Sequence, residues 1–509
     1  MDKTVYTLWT RSAGQYPDLP AIRWLNRKDV CEISYGQLNE KVVKVRKGLL
    51  AEGFSGVHIA LIGMSSVFWM EAYLGVTTGD NVAIPVEIGL PPADMLGLIN
   101  RSDTECVFLD PKFAALVEPM KSSCPKVKGI YFLTEDAMEE GKTLKDLMDA
   151  GEGGADPKVP GPEDIATIVY TSGTTGQSKG VMLTQENIYT NVEAIIYDVE
   201  PGIVFMSVLP IHHAFCLVMD WLQGFWLGAV ICINDSFLHM VRNMGIFKPD
   251  VMLMVPLMIE TIYKRLKNAD PSIPPEILGK KVFGGNLKHV FTGGAHLEPF
   301  YIDEFGKYGV LVLEGYGMSE CSPVISSNRV RSYKIGSIGR PLPNVEIKFD
   351  NGEILVKSSS VMKGYYKMPE ETDSTLKDGW LHTGDKGYMD EDGFLWINGR
   401  VKNLIILSNG ENISPEEIEN KLALNDIIEE VIVSGENNAL TARIYPSKEL
   451  TENMSEEEVK TALQEVIDTY NADQPTYRRI TGLIVRKNPF IKNATRKILR
   501  HEMERDEAQ

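Results

Sequence analysis

The 509-residue chain has few cysteines and none in a paired spacing: Cys31, Cys106, Cys124, Cys216, Cys232 and Cys321 are scattered without a Cys-x-x-Cys motif. That excludes a cysteine-based zinc ribbon and argues against a disulfide frame. Reduced, buried thiols in a cytoplasmic protein are expected instead. Positive charge is also in short supply, with 52 Lys and Arg against 70 Asp and Glu and a formal net charge of −18. A general nucleic-acid binder, whose affinity would rest on a basic surface, is therefore not expected. Long apolar runs are missing too. Pro201 to Met219 carries no formal charge, but it contains Pro210 and the pair His212-His213, and Asp220 ends it. Trp221 to Ile233 is too short to span a bilayer, so a buried strand and helix are expected here and no integral membrane segment. The opening MDKTVYTLWTRSAGQYPD has no continuous apolar stretch, so no signal peptide is expected. No internal repeat or long low-complexity tract occurs.

What remains is an ordinary globular composition, 43% hydrophobic and 24% charged, in a chain long enough for two or more domains. From Tyr6 to about Asp110 helical and strand-like stretches alternate. Ser34-Tyr35 opens an amphipathic helix through Lys41, Val45 and Leu49 that stops near Gly53. Val57 to Ile62 reads as a strand, Val67 to Leu74 as a helix and Asn81 to Val86 as a strand. Such alternation predicts an α/β fold with parallel strands. The acidic, Gly-rich stretch from Glu139 to Pro160 reads as an exposed helix and linker.

The most informative stretch is Tyr170 to Gly180, YTSGTTGQSKG. A buried strand, Ile165 to Val169, leads into it, and VMLTQENIYTNVEA after it reads as a helix entry. Its hydroxyls, its turn-forming glycines and Lys179 suit a loop that wraps a phosphate chain. Two familiar phosphate loops do not fit. In the nucleotide-hydrolase spacing counted from Gly173, Ser178 and Gly180 flank Lys179 wrongly; Gly315-Tyr-Gly317 is followed by Glu320 where a dinucleotide fold needs glycine.

The run TSGTTGQSKG resembles, without a gap, the signature loop of the adenylate-forming superfamily, which includes acyl-CoA synthetases, amino-acid-activating domains and firefly luciferase. Further motifs follow in that family's order: Ile211-His-His-Ala-Phe215, Gly293-Gly-Ala295, Gly315-Tyr-Gly-Met-Ser-Glu320, Gly379-Trp-Leu-His-Thr-Gly-Asp385, Gly387-Tyr-Met-Asp-Glu-Asp-Gly-Phe394, Gly399-Arg400, the stretch Leu404 to Glu419 and the tail Pro489 to Arg500. The resemblance implies a large α/β domain, about residues 1–400, of parallel and mixed sheets flanked by helices with a smaller β-barrel-like part. A small, mobile α+β domain, 401–509, would follow. Ser414-Pro415-Glu416-Glu417 in that second part is also a helix-start signal in its own right.

Carried over residue by residue, the resemblance implies that Thr171, Ser172, Gly173, Thr174, Thr175, Gly176 and Lys179 hold the phosphates of ATP. Gly294 and Ala295 would bind adenine, Tyr316 would stack on it, Gly317 and the hydroxyl of Ser319 would meet the nucleotide, and Asp385 and Arg400 would take the ribose. Glu320 would bind Mg²⁺. His213 would lie beside the substrate carboxylate, with Phe215, Gly294 and Met318 in the acyl pocket. Lys402 falls on the hinge and Lys497 on the catalytic lysine, where Arg496 replaces a glycine common in the family.

The implied chemistry is adenylation of a small carboxylic acid followed by transfer to a thiol. Coenzyme A is the expected acceptor, because the interval from Glu320 to Asp385 leaves no room for the insertion seen in ligases that load fatty acids onto the phosphopantetheine arm of an acyl carrier protein; that carrier is the alternative. Ala214 stands where amino-acid-activating relatives place an aspartate, and the apolar runs around Phe215 to Trp226 and Met252 to Met258 favour an apolar acyl group, leaving chain length and aromatic versus aliphatic character open; a medium- or long-chain fatty acid is the expected substrate. A scaffold that had lost catalysis would have lost Lys497, Glu320 or Lys179, and all are present. A luciferase-like monooxygenase shares every one of these motifs and is separated by an oxygen-uptake assay.

Overall fold

The computed structural model describes residues 2–139, 141–171, 178–406, 412–436, 439–492, 498–500 and 503. They fall into two compact units, residues 1–347 with 356–381, and residues 348–355 with 382–509.

Among the described residues the first unit contains two large sheets. One runs, in spatial order, Gly364–Tyr365, Lys179–Thr184, Ile165–Thr171, Val82–Val86, His58–Ile62, Thr104–Leu109, Gly129–Phe132 and Lys142–Thr143. From Ile165–Thr171 to Lys142–Thr143 the neighbours are parallel. Lys179–Thr184 is antiparallel to Ile165–Thr171, and Gly364–Tyr365 is antiparallel to Lys179–Thr184. The second sheet has a parallel centre formed by Val230–Ile233, Val204–Ser207, Val251–Met254, His289–Thr292 and Leu311–Gly317. The central strands are continuous apolar runs because both of their faces are covered by helices. The expected helix after Ser34 is Tyr35–Ala51. Its Ser34 Oγ accepts from Gln37 N at 3.2 Å and Gln37 Oε1 accepts from Ser34 N at 3.0 Å, a reciprocal cap. Gly53, at φ +83°, lies just beyond the helix end.

Two expectations are corrected. The stretch after the candidate phosphate loop begins as a strand, Lys179–Thr184, and becomes a helix only at Gln185–Ala194, where Thr184 caps Asn187 N at 3.1 Å. Pairing with Ile165–Thr171 overrides local helix propensity. The acidic stretch from Glu139 also contains a docked helix, Leu144–Ala150, rather than an exposed one: Leu144, Leu147 and Met148 are buried. It rests on the helix Tyr35–Ala51 so closely that a Cβ on Gly48 would lie 2.0 Å from the Leu147 carbonyl oxygen.

The expected buried strand and helix between Pro201 and Ile233 are present. Val204–Ser207 is followed by a π-helical stretch, Phe215–Leu222, with Cys216 to Leu222 buried. No helix among the described residues is long and apolar enough to cross a membrane. All six cysteines are free, and five are buried.

In the second unit Asn425 leads into a three-stranded sheet. Ile428–Glu436 is antiparallel to Ala439–Pro446, which is parallel to Ile480–Val485. The helix Glu456–Ala472 makes the crossover that parallel pairing requires. Ile418, Leu422, Val433, Ala442, Ile444, Leu463 and Ile467 form its core, with Pro415–Leu422 as the other covering helix.

Candidate active site

The candidate phosphate loop is anchored at both ends. Thr171 stands opposite Lys179 in the antiparallel pair. Ser172, Gly173, Thr174, Thr175 and Gly176 lie outside the described residues. Lys179 places its ammonium 4.8 Å from the centre of the Tyr365 ring, a cation–π distance. The Tyr365 hydroxyl in turn donates to Glu320 Oε1 at 2.8 Å. Tyr365 is buried, and burial first, then the neighbouring Glu320 charge, pushes its phenol well above the usual tyrosine range. One aromatic ring thus ties the loop lysine to the candidate metal carboxylate. Sequence reasoning missed Tyr365, whose role comes from the Gly364–Tyr365 strand pairing with Val181 and Met182.

Glu320 sits on a tight turn beyond the strand Leu311–Gly317. Met318 N donates to the Pro323 carbonyl at 2.8 Å, and a Cβ at Gly317 would lie 2.0 Å from that same oxygen. Only glycine permits this approach, and it sets Ser319–Cys321 into one short helical turn. Tyr316, Met318, Ser319 and Glu320 are all half-buried. The neighbouring strand His289–Thr292 ends in Gly293 and Gly294. Gly294 has φ +81°, and a Cβ on Gly293 would come within 3.0 Å of the Gly315 carbonyl and 3.7 Å of the Phe215 ring. The turn therefore brings the candidate adenine-binding backbone and the candidate acyl-pocket phenylalanine together, with Ala295 exposed beyond it.

Past the strand Val204–Ser207 come His212 and His213, their ring centroids 4.4 Å apart. His212 is buried, and burial, helped by His213, pushes its imidazole down to about 3, so it is neutral near pH 7. Glu87, directly after the strand Val82–Val86, joins them: one potential donor atom from each of Glu87, His212 and His213 lies within 4.8 Å of the others. Its half-buried carboxyl is raised by desolvation. Phe215 opens the π-helical stretch, and Met219, one turn on, lines a mostly apolar cavity with Tyr197, Phe205, Leu253 and Phe291, to which Gln223 and Arg329 also contribute.

The second unit carries its own candidate pair. Asp385 lies opposite Arg400 in the antiparallel ladder, with Arg400 Nε 3.2 Å from Asp385 Oδ1. Thr383 Oγ1 accepts from Asp385 N at 3.1 Å and donates to the Ile354 carbonyl at 2.7 Å, which fixes the backbone under the carboxylate. Lys402 is exposed in the turn that follows Arg400. Lys497 lies outside the described residues.

Comparison with known proteins gives a consistent result. Residues 9–366 match the AMP-binding enzyme family, and residues 402–508 match the AMP-binding enzyme C-terminal domain. A long-chain-fatty-acid–CoA ligase of Bacillus subtilis (strain 168) is 31% identical over 480 residues, covering 85% of this chain and 83% of that protein. Long-chain-fatty-acid–CoA ligase 5 of Rattus norvegicus is 29% identical over 510 residues, covering 86% of this chain and 74% of the relative. Among solved structures, the anthranilate CoA ligase AuaEII with anthranoyl-AMP superimposes with a TM-score of 0.85 at 19% identity, covering 99% of this chain and 96% of that one. The o-succinylbenzoate CoA synthetase of Bacillus subtilis gives 0.77 at 22% identity, covering 98% of each. At those identities the structural likeness establishes the fold.

Proposed function

We propose, from the fact that the chain belongs to the AMP-binding enzyme family, that it joins a medium- or long-chain fatty acid to ATP and passes the acyl group from the adenylate to coenzyme A. The observation that carries the fatty-acid reading is the 31% identity to a long-chain-fatty-acid–CoA ligase over 85% of the chain. Two features support it. Ala214 is small, apolar and buried where a substrate ammonium would need a carboxylate, and the cavity beside Met219 is lined mostly by apolar side chains, with Gln223, Ser327, Asn328 and Arg329 completing its wall.

In this reading the loop from Thr171 to Lys179 holds the phosphates and Lys179 contributes a point charge. A lone carboxylate beside hydroxyl-bearing residues suits Mg²⁺, which keeps most of its water shell. Glu320, oriented by Tyr365, would hold the ion that arrives with ATP, and the ion would offset phosphate charge there. Gly294, Ala295, Tyr316, Gly317 and Ser319 receive the adenosine side, while Asp385 and Arg400 receive the ribose hydroxyls. His213 and Phe215 flank the reacting carboxylate and the start of the acyl chain, with Met318 completing the pocket.

Lys497 supplies positive charge between the carboxylate and the α-phosphate as the acyl–phosphate bond forms and pyrophosphate leaves. The thiol sulfur then attacks the acyl carbon and AMP leaves. The body that turns between the two steps begins after Arg400, with Lys402 as its hinge, in keeping with the start of the C-terminal family match at residue 402. The setting is cytoplasmic, where ATP and coenzyme A are available.

The deciding experiment is ATP–pyrophosphate exchange across fatty, aryl and amino acids, followed by analysis of the thioester. Aliphatic acids should exceed every α-amino acid, with free acyl-CoA released. Strong, selective exchange with one amino or aryl acid would overturn the substrate assignment. Adenylate that persists with coenzyme A and clears only with a holo-carrier protein would overturn the acceptor.

A further inference from the structure

We propose that Glu87, His212 and His213 form a binding site for a late first-row divalent cation of the zinc class, separate from the nucleotide-bound Mg²⁺ at Glu320. The three residues come from two sheets. Glu87 follows the strand Val82–Val86 of one, and the histidines follow Val204–Ser207 of the other. Their potential donor atoms nevertheless lie within 4.8 Å of one another. A point between three such atoms lies at most about 2.8 Å from each, against roughly 2.0–2.2 Å for zinc bonded to imidazole or carboxylate. Side-chain movements of under about 1 Å therefore close the set around an ion, without the backbone rearrangement that a scattered triad would need.

The second observation is independent of that spacing. His212 is only 6% exposed, and its Nδ1 is buried without a hydrogen-bond partner. A buried, unpaired ring nitrogen is destabilising and uncommon in a folded protein, and a ligand at that nitrogen removes the deficit. The donor chemistry narrows the ligand. Two imidazole nitrogens and one carboxylate oxygen are the set used by open zinc sites and suit Zn²⁺, Co²⁺ or Ni²⁺. Mg²⁺ and Ca²⁺ take oxygen ligands and are disfavoured here. Because the proposed function puts His213 beside the reacting carboxylate, an ion bound here competes with the acid; that consequence, unlike the site itself, rests on the functional reading.

The test uses the full chain, freed of metal by chelator and dialysed, without ATP or acid. Titration with Co²⁺, followed by calorimetry and visible absorption, should show one equivalent bound with d–d bands of nitrogen and oxygen ligation and no thiolate charge-transfer band. Glu87→Gln and His212→Gln, each checked for folding by circular dichroism, should each weaken that binding by at least about tenfold, the scale on which metal sites respond to loss of a supporting group. No binding, binding with a thiolate band, or equal binding in both folded variants would overturn the site. In the wild type, Zn²⁺ should raise the KM for the acid without altering the KM for ATP. Binding that depends on Glu87 and His212 but does not compete with the acid would keep the site and overturn the placement of the acid at His213.

Discussion

Replacing Asp385 with asparagine separates nucleotide binding from folding, and the structure fixes how large each effect should be. Asp385 is nearly buried, whereas its partner Arg400 has a side chain 56% exposed. An ion pair with one solvated member contributes at most about 1 kcal/mol to stability. The backbone beneath the carboxylate is held by Thr383 through bonds that asparagine leaves intact. Asp385→Asn should therefore lower the denaturation midpoint by no more than about 2–4 °C. Binding is another matter if the carboxylate accepts from the ribose hydroxyls. The amide keeps one carbonyl acceptor but loses the charge, and hydrogen bonds to charged groups are worth roughly 1.5–3 kcal/mol. At about 1.4 kcal/mol per tenfold, the KM for ATP in pyrophosphate exchange should rise about 10- to 100-fold, with the KM for the acid little changed. Thermal denaturation alongside the exchange assay is the whole experiment. An unchanged KM for ATP would refute the ribose assignment, and a large loss of stability would show that the pair is structural instead.

Three further outcomes are expected. Lys497→Ala should slow adenylation by about 10²–10³, the effect of removing a preorganised contact worth roughly 3–4 kcal/mol, and leave thiolation of pre-formed adenylate nearly intact, while Lys402→Pro should do the reverse; equal losses in both single-turnover half-reactions for both variants would refute this division. Gly48→Ala, whose Cβ would lie 2.0 Å from the Leu147 carbonyl oxygen, should cost about 1–3 kcal/mol in urea unfolding, and an unchanged midpoint would show that the two helices separate easily. The fully buried Asp220 carboxyl is pushed up to about 8 by burial, so between about pH 4 and 8 the folded state holds a proton that the unfolded chain has lost and stability falls as pH rises; Asp220→Asn should flatten that fall, and an unaltered pH–stability profile would mean that Asp220 does not titrate in this range.

Much of the fold was legible because its signals are local. Ser34 and Gln37 announce a capped helix, and the apolar run at His58–Ile62 has the length and composition of a buried parallel strand. The failures were of two kinds. Leu144, Leu147 and Met148 form an i, i+3, i+4 stripe that marks a docked helix, but it sits within an acidic, Gly-rich stretch whose composition is that of an exposed linker. No local pattern could have identified Tyr365 or Glu87. Tyr365 matters through a hydroxyl that meets Glu320, 45 positions away in sequence. Glu87 matters through histidines that follow a strand of the other sheet. Contacts of that range are properties of the topology.

The same topology explains why the first unit's candidate groups gather where they do. Glu87 follows the carboxyl end of Val82–Val86, Thr171 ends Ile165–Thr171, and His212 and His213 follow Val204–Ser207. Gly293 and Gly294 follow His289–Thr292, and Glu320 follows Leu311–Gly317. Each of these strands has at least one parallel neighbour. In a parallel sheet the chain leaves every strand on the same edge, and the turns there are free of the packing demands that fill the strand centres with Val, Ile and Met. Polar residues can therefore collect at that edge with little harm to the core, and Gly293 and Gly317 permit close backbone approaches there, to the carbonyls of Gly315 and Pro323. Moving the carboxylate of Glu87 two positions back, to the place of buried Pro85 in the strand Val82–Val86, would keep its side chain on the same face of the sheet. It would also bury the polar group among apolar neighbours, so catalytic placement and stability select the same edge.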